Sequence, residues 1–278
     1  MIRLVAVDMD ATFLKDDKTY DVPLFKKVFS HLKERHVRFV VASGNGVSKL
    51  ETSFDDEDKK HIIFAGDNGN HIQYRDDLIK VHGIERTTVI DLVQFLMTQE
   101  GYYPIINSTQ TNYICPNNPE DALDAFYRYN VSVTELPAIE DLPLDAPLLN
   151  VAVYFRGTLE HTKDFAQKLV KRFPELNAVT SGEQWLDIFR VGGGKGSAIT
   201  YLQQQFGIHP QECIAFGDSL NDVSMMKSVG LSVAMGNADP QLSEFCTYQI
   251  GTNNEQSVLK LLDELLERGE EALQQYKK

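Results

Sequence analysis

Short runs of aliphatic residues alternate along this chain with longer amphipathic stretches. Ile2–Val7, Val37–Ala42 (VRFVVA), Ile62–Ala65, Cys213–Phe216 (CIAF) and Leu231–Ala234 (LSVA) are apolar at nearly consecutive positions and too short for helices. Runs of that kind are the pattern of strands covered on both faces. Helical patterns lie between them. Val22–Glu34 carries Pro23 in its first turn, where a missing N–H costs nothing. Near the C-terminal end, Val258, Leu259, Leu261, Leu262, Leu265 and Leu266 fall at helical spacing within Gln256–Arg268, a covering helix.

The texture changes between about Arg86 and Phe189. A helix is followed by two strands joined by a turn around Ser108–Asn112, then by a helix over Pro119–Tyr129. Strand Leu148–Phe155, helix Leu159–Phe173 and a strand pair, Ala178–Thr180 and Trp185–Arg190, complete the segment. Consecutive strands without an intervening helix predict an antiparallel sheet with helices on one side. The parallel pattern resumes after Gly192–Gly194. The predicted fold is therefore α/β: a Rossmann-like parallel-sheet core interrupted by an inserted α+β domain. The core takes residues 1–82 and 191–278, and the insert residues 83–190.

Composition narrows the function classes. Hydrophobic residues make up 42% of the 278 and charged residues 24%, ordinary for a globular chain. A formal charge of -13 argues against nonspecific nucleic-acid binding and against an anionic membrane surface. Cys115, Cys213 and Cys246 are odd in number and show no CxxC spacing, so neither a disulfide framework nor a structural zinc site is expected. No run reaches the roughly 20 apolar residues of a membrane span, and no leader pattern opens the chain; a reducing cytoplasm is the expectation. Composition carries no signal for oligomeric state.

Candidate chemistry gathers where the predicted strands end. Asp8 and Asp10 stand one residue apart after the first strand. Two like charges repel by about 4 kcal/mol at about 4 Å in an effective dielectric near 20. Ser43-Gly44-Asn45-Gly46 follows the second strand, and Gly217-Asp218-Ser219-Leu220-Asn221-Asp222 follows CIAF. Gly192-Gly193-Gly194-Lys195-Gly196 opens a helix. Each alone is also what a turn or helix cap looks like. Together they bring acids, a hydroxyl and an amine to one sheet edge, the edge where open α/β sheets bind ligands. The lysine stretch is no P-loop, because Phe189 occupies the first glycine position, and GNGVSK lacks the third glycine of a dinucleotide fingerprint. The free backbone around Lys195 and the helix start nevertheless favour an anion.

The set DMDAT, Ser43, Lys195 and GDSLND resembles, in order, the four motifs of haloacid dehalogenase superfamily phosphatases. The insert, Asn68-Gly69 after the third strand and Trp185-Leu186-Asp187-Ile188 resemble the Cof-type branch with its α/β cap. That resemblance implies magnesium-dependent hydrolysis of a phosphate monoester through an aspartyl-phosphate. Asp8 would be the nucleophile and Asp10 the general acid and base. Asp8, the Asp10 carbonyl and Asp218 would hold Mg2+, with Asp222 behind them. Lys195, Ser43, Asn221 and the backbone N–H groups near Met9 and Gly44 would hold the phosphoryl oxygens, and Thr12 would order the loop. Asn45 and Asn68 are candidate substrate contacts. Many members carry Gly where Ala11 stands, and Arg is common where Asn45 stands.

The implied partner is a small phosphorylated metabolite, with sugar phosphates first. A phosphomannomutase-type mutase and a non-catalytic phosphosugar-binding protein are the alternatives. Cys115 reads as packing. Trp185 reads either as cap core or as a surface for stacking a sugar. Asp16 and Asp17 lie outside the motif and read as solvated loop.

Overall fold

The computed structural model describes residues 1–75, 77–181 and 184–278, which form two sheets. The first holds β1 (Leu4–Val7), β2 (Arg38–Ala42), β3 (Ile62–Gly66), β4 (His71–Tyr74) and β5 (Asp77–Val81). The second holds β6 (Tyr102–Ser108), β7 (Asn112–Ile114), β8 (Val133–Glu135), β9 (Leu148–Phe155), β10 (Leu176–Ser181) and β11 (Trp185–Arg190). The first sheet regains the chain through β12 (Cys213–Gly217), β13 (Leu231–Ala234) and β14 (Tyr248–Gln249), giving the order β14-β13-β12-β1-β2-β3-β4-β5.

From β14 to β3 all neighbours in the first sheet are parallel. The apolar runs are continuous because both faces are covered. Val5, Val7, Phe39, Val41 and Phe64 pack beneath the helices Val22–Glu34 and Ser257–Arg268. Leu4, Ala6, Val40, Ile63 and Ala215 pack beneath the helix Lys195–Phe206 and Met225. The antiparallel hairpin β4–β5 is an addition to the expected core. It lies at the sheet edge, and the half-exposed residues of HIQY and DLIKV give no clean alternation from which to read strands.

The second sheet runs β10-β11-β9-β6-β7-β8. Its pairs are antiparallel except β7 and β8, which are parallel and joined across the helix Glu120–Tyr129. That crossover corrects the expectation of helices on one side only. The helices Arg86–Met97 and Leu159–Arg172 cover the face bearing Ile106, Val151, Val153, Leu186 and Ile188. The helix Glu120–Tyr129 buries Ala122 and Phe126 on the other face, against Ile105, Ala152 and Tyr154. Among the described residues no helix is long and apolar enough to cross a membrane.

Parallel register aligns the ends of β1, β2, β3 and β12, so residues 8, 43, 67 and 218 emerge at one edge. The turn after β1 is pinned from below by Phe13. Its ring lies 5.1 Å from Tyr20, 5.7 Å from Phe25, 6.0 Å from Phe54 and 6.1 Å from Phe39, centroid to centroid. Phe13→Ala should therefore cost about 3–5 kcal/mol, read as a lowered urea midpoint at unchanged slope.

Candidate active site

The chain leaves β1 in a wide turn. Phe13 N–H donates to the Asp8 carbonyl at 3.2 Å and Leu14 N–H to the Met9 carbonyl at 2.8 Å, each five residues back. Closing that turn puts Ala11 at φ 56°, in the left-handed region. A side chain costs roughly 1–2 kcal/mol there and glycine does not. The commonness of Gly at this position in the family is thus a matter of backbone geometry, and alanine meets it with the smallest side chain. Met9 turns its side chain into the aliphatic and aromatic core, leaving its backbone at the turn.

Three buried side chains far apart in sequence meet behind this turn. Lys195 Nζ lies 2.6 Å from Asp8 Oδ1 and 2.6 Å from Asp222 Oδ1, with Lys195 1% exposed. Asp222 Oδ2 accepts the backbone N–H groups of Asp218 at 3.0 Å and Ser219 at 3.2 Å. Thr12 Oγ1 donates to Asp218 Oδ1 at 3.1 Å. Lys195 reaches this position because Gly196 lets its helix lie directly on Ser224, whose carbonyl any side chain there would strike. The glycine run around Lys195 is therefore spent on packing, and the anions it serves are Asp8 and Asp222. This replaces the expectation of an open anion cradle.

The electrostatics are unbalanced. Carboxylate oxygens of Asp8, Asp218 and Asp222 lie within 4.8 Å of one another, with one lysine among them. Burial pushes the Asp8 carboxyl well up; Lys195 opposes the shift and Asp222 and Asp218 add to it. Burial and Asp222 raise Asp218 to about 7 against Lys195 and Thr12. Burial pulls Lys195 down, but Asp222 and Asp8 outweigh it and the ammonium is held charged.

Asp10 stands in front, its carboxylate reaching a cavity of about 270 Å³. Asn45 Nδ2 donates to its Oδ2 at 2.8 Å and Lys18 Nζ to its Oδ1 at 2.7 Å. Lys18 was not among the residues marked by motif. Nothing in LKDDKT separates it from Lys15; a tight turn does so, with Lys15 N–H to the Thr19 carbonyl at 2.8 Å and Lys18 at φ 64°. Asp16 and Asp17 build that turn and are not merely solvated. Asp16 accepts from Asn253 Nδ2 at 3.0 Å and Asn254 Nδ2 at 2.8 Å, and Asp17 Oδ1 accepts from Thr19 N–H at 2.9 Å.

Asp8, Ser43, Gly44, Asn45, Asp218 and Asn221 line the same cavity on the core side. Asn68 is 1% exposed; its Nδ2 donates to Asp187 Oδ2 at 2.9 Å, and its Oδ1 accepts from Asn221 Nδ2 at 3.0 Å. Opposite stand Ile105, Asn107, Ala152, Ser181, Trp185 and Asp187 from the second sheet. Trp185 both lines the cavity and packs edge-on to Tyr129 and Tyr154, with centroids at 5.7 and 5.8 Å. Cys115 lies in the apolar cluster of the insert, its thiol pushed up to about 11 by burial and Glu140.

With its acids and its lysine at one sheet edge beneath an inserted layer, the chain has the build of a capped α/β enzyme. It belongs to the haloacid dehalogenase-like hydrolases, whose family model matches residues 5–262. The 5-amino-6-(5-phospho-D-ribitylamino)uracil phosphatase YbjI of Escherichia coli K12 is 28% identical to it over 273 residues, 95% of this chain and 96% of that protein. The HMP-PP phosphatase of Serratia proteamaculans is 28% identical over 257 residues, 87% and 86% of the two chains. The crystal structure of SMU.1108c from Streptococcus mutans UA159 superposes with a TM-score of 0.90 at 25% identity, covering 96% of this chain and all of that one.

Two outcomes test this geometry. Lys18→Ala should lower kcat/KM toward a phosphate monoester about tenfold, the value of one charge-assisted hydrogen bond, with the melting temperature unmoved. Burial, together with the neighbouring Asp187, raises Asp67 to about 7, while a hydrogen bond from Asn107 opposes the shift. Its folded value exceeds its unfolded one, so this carboxyl favours the unfolded chain increasingly as pH rises from about 4 to about 7, and uniformly above. Asp67→Asn should therefore stabilise the protein more at pH 8 than at pH 5, measured as the difference in melting temperature from wild type.

Proposed function

We propose that this chain is a magnesium-dependent phosphatase acting on small phosphate monoesters, sugar phosphates first among them, through an aspartyl-phosphate on Asp8. The observation carrying this reading is the pairing of a buried Asp8, fixed by Lys195, with an Asp10 that reaches the cavity two residues on. Relatives named for a phosphorylated ribitylaminouracil and for HMP-PP support a small phosphorylated metabolite as substrate.

Lys195 occupies Asp8 Oδ1, which leaves Oδ2 to attack phosphorus. The Asp8–phosphorus bond forms as the ester P–O bond breaks, and Asp10 delivers its proton to the departing oxygen. In the second half Asp10 takes a proton from water, whose oxygen attacks phosphorus and releases Asp8. Ser43, Asn221 and the N–H groups of Met9 and Gly44 receive the phosphoryl oxygens as charge shifts onto them. Lys195 offsets negative charge throughout while holding the Asp8 carboxylate in one orientation.

The residues fit a hard divalent cation. Three carboxylates, two of them buried and one partly so, face one lysine, an excess of negative charge that a cation would neutralise. Asp222 has both oxygens engaged by Lys195 and backbone N–H groups, which leaves Asp8 and Asp218, with the Asp10 carbonyl, as the groups that would hold Mg2+. When bound, the ion supplies the positive charge that lets a phosphate dianion approach two carboxylates. Residues 83–190 act as the cap, closing over the leaving group and excluding water.

Phosphate release from p-nitrophenyl phosphate and a panel of sugar phosphates tests the proposal. Turnover should require Mg2+, stop on chelation and return on adding the ion. Asp8→Asn should lower kcat about 10³-fold or more; turnover that survives in that variant rules out Asp8 as nucleophile.

A further inference from the structure

The cavity wall opposite the phosphate end carries a buried acid that the chemistry above does not use. Asp187 lies in β11, in the row that pairs Asp187 with Ala152 and Ala152 with Ile105 across the second sheet. It is 4% exposed, yet lines the cavity shared by Asp8 and Asp10. Its Oδ2 accepts from Asn68 Nδ2 at 2.9 Å and Ser181 Oγ at 2.6 Å. Its Oδ1 has no hydrogen-bond partner among the described residues. On the same face two strands away, Asn107 is 6% exposed and also lines the cavity. An unpaired carboxylate oxygen at a cavity wall marks where a hydrogen-bond donor completes the pairing.

What completes it is set by charge and shape. The lining opposite the phosphate end offers Asp187, Asn107 and Ser181 as polar groups, with Ile105, Ala152 and Trp185 between them. Lys18 is the cation on the described lining, and it is engaged with Asp10. A carboxylate or second phosphate on the leaving group would meet an acid there. A hydroxyl can donate to one group and accept from another, and C–H faces of a sugar chain suit Trp185 and the aliphatic side chains.

Resting on the phosphatase reading above, we propose that Asp187, held in place by Asn68 and Ser181, hydrogen-bonds a hydroxyl of the leaving group, making neutral polyhydroxylated phosphates the preferred substrates. Asp187 is thereby a specificity residue supplied by the inserted sheet. Asn68 is its positioning residue, and Asn68 in turn is tied to Asn221 on the phosphate side. A site that presents a buried hydrogen-bonding group to a substrate hydroxyl discriminates strongly against the analogue lacking it.

The test compares D-glucitol 6-phosphate with n-hexyl phosphate, equal in carbon count and differing in hydroxyls. Wild type should favour the glucitol ester in kcat/KM by roughly 10- to 100-fold, the value of a hydrogen bond to a charged group. Asp187→Asn, which keeps the shape and the acceptor for Asn68, and Asp187→Ala should each reduce that ratio at least about tenfold, chiefly through KM. Equal losses on both esters would overturn the proposal and leave Asp187 a structural tie between insert and core. A wild-type ratio near one would overturn it as well. Wild type that hydrolyses neither ester nor p-nitrophenyl phosphate would instead reject the phosphatase reading itself.

Discussion

Everything at the sheet edge depends on one buried ammonium. Lys195 sits between Asp8 and Asp222 with almost no contact with solvent, and removing such a charge from water costs several kcal/mol before its partners repay it. Repayment requires both carboxylates at hydrogen-bond distance, which in turn requires β1 and β12 to be neighbours and the turn after β12 to fold back on itself. It also requires the helix beginning at Lys195 to lie flush on Ser224, which Gly196 permits. Residues 8, 195 and 222 therefore have to converge. The second sheet is inserted between the first and the last two, so its final strand runs directly into the lysine. Asp187 at the cavity wall and Lys195 beneath it are consequently placed by the same stretch of chain.

The local field explains how an acidic protein can hold an anion. The overall charge of -13 says nothing of a site whose walls exclude most water. Inside it, burial raises Asp8, Asp218 and Asp67, and in each case the neighbouring acids add to the shift. Such a cluster is unfavourable as it stands, and it is the reason the donor set suits a divalent cation. The repulsion foreseen between Asp8 and Asp10 is relieved differently: Asp8 turns back to Lys195, and Asp10 turns forward to Lys18 and Asn45. Asn45, where arginine is common in the family, supplies an amide, and the cation at Asp10 comes from the turn at 15–19.

The sequence made the buried strands legible because both of their faces are covered, which writes the strand into consecutive apolar residues. The helix Val22–Glu34 and strands Leu148–Phe155 and Trp185–Arg190 lie where periodicity placed them. The hairpin β4–β5 escaped because an edge hairpin is half exposed. The helix Glu120–Tyr129 lies where it was expected, but its side of the sheet escaped, because amphipathicity states that a helix covers something, not which face it covers. At the site, the acids and lysine could be read from spacing along strand ends. Lys18 could not, and Asp187, though part of the quoted WLDI stretch, gave no sign of its place at the cavity, since each acquires it from a partner distant in sequence: Asp16 on Asn253 and Asn254 for the first, Asn68 for the second.

Backbone strain marks the same two places. Ala11 is left-handed in the turn that presents Asp10, and Asp67, Asn68 and Gly69 are left-handed in succession, at φ 53°, 54° and 80°. Non-glycine residues so placed cost about 1–3 kcal/mol each and persist only where surrounding contacts over-determine them. Here the contacts are identifiable. Asn68 is held by Asp187 from one sheet and Asn221 from the other, and Asn70 Nδ2 donates to the Asp67 carbonyl at 2.6 Å. A relaxed turn after β3 would aim Asn68 elsewhere and leave Asp187 Oδ2 with Ser181 alone. The strain is thus the cost of joining the phosphate end of the cavity to its far wall through a single side chain.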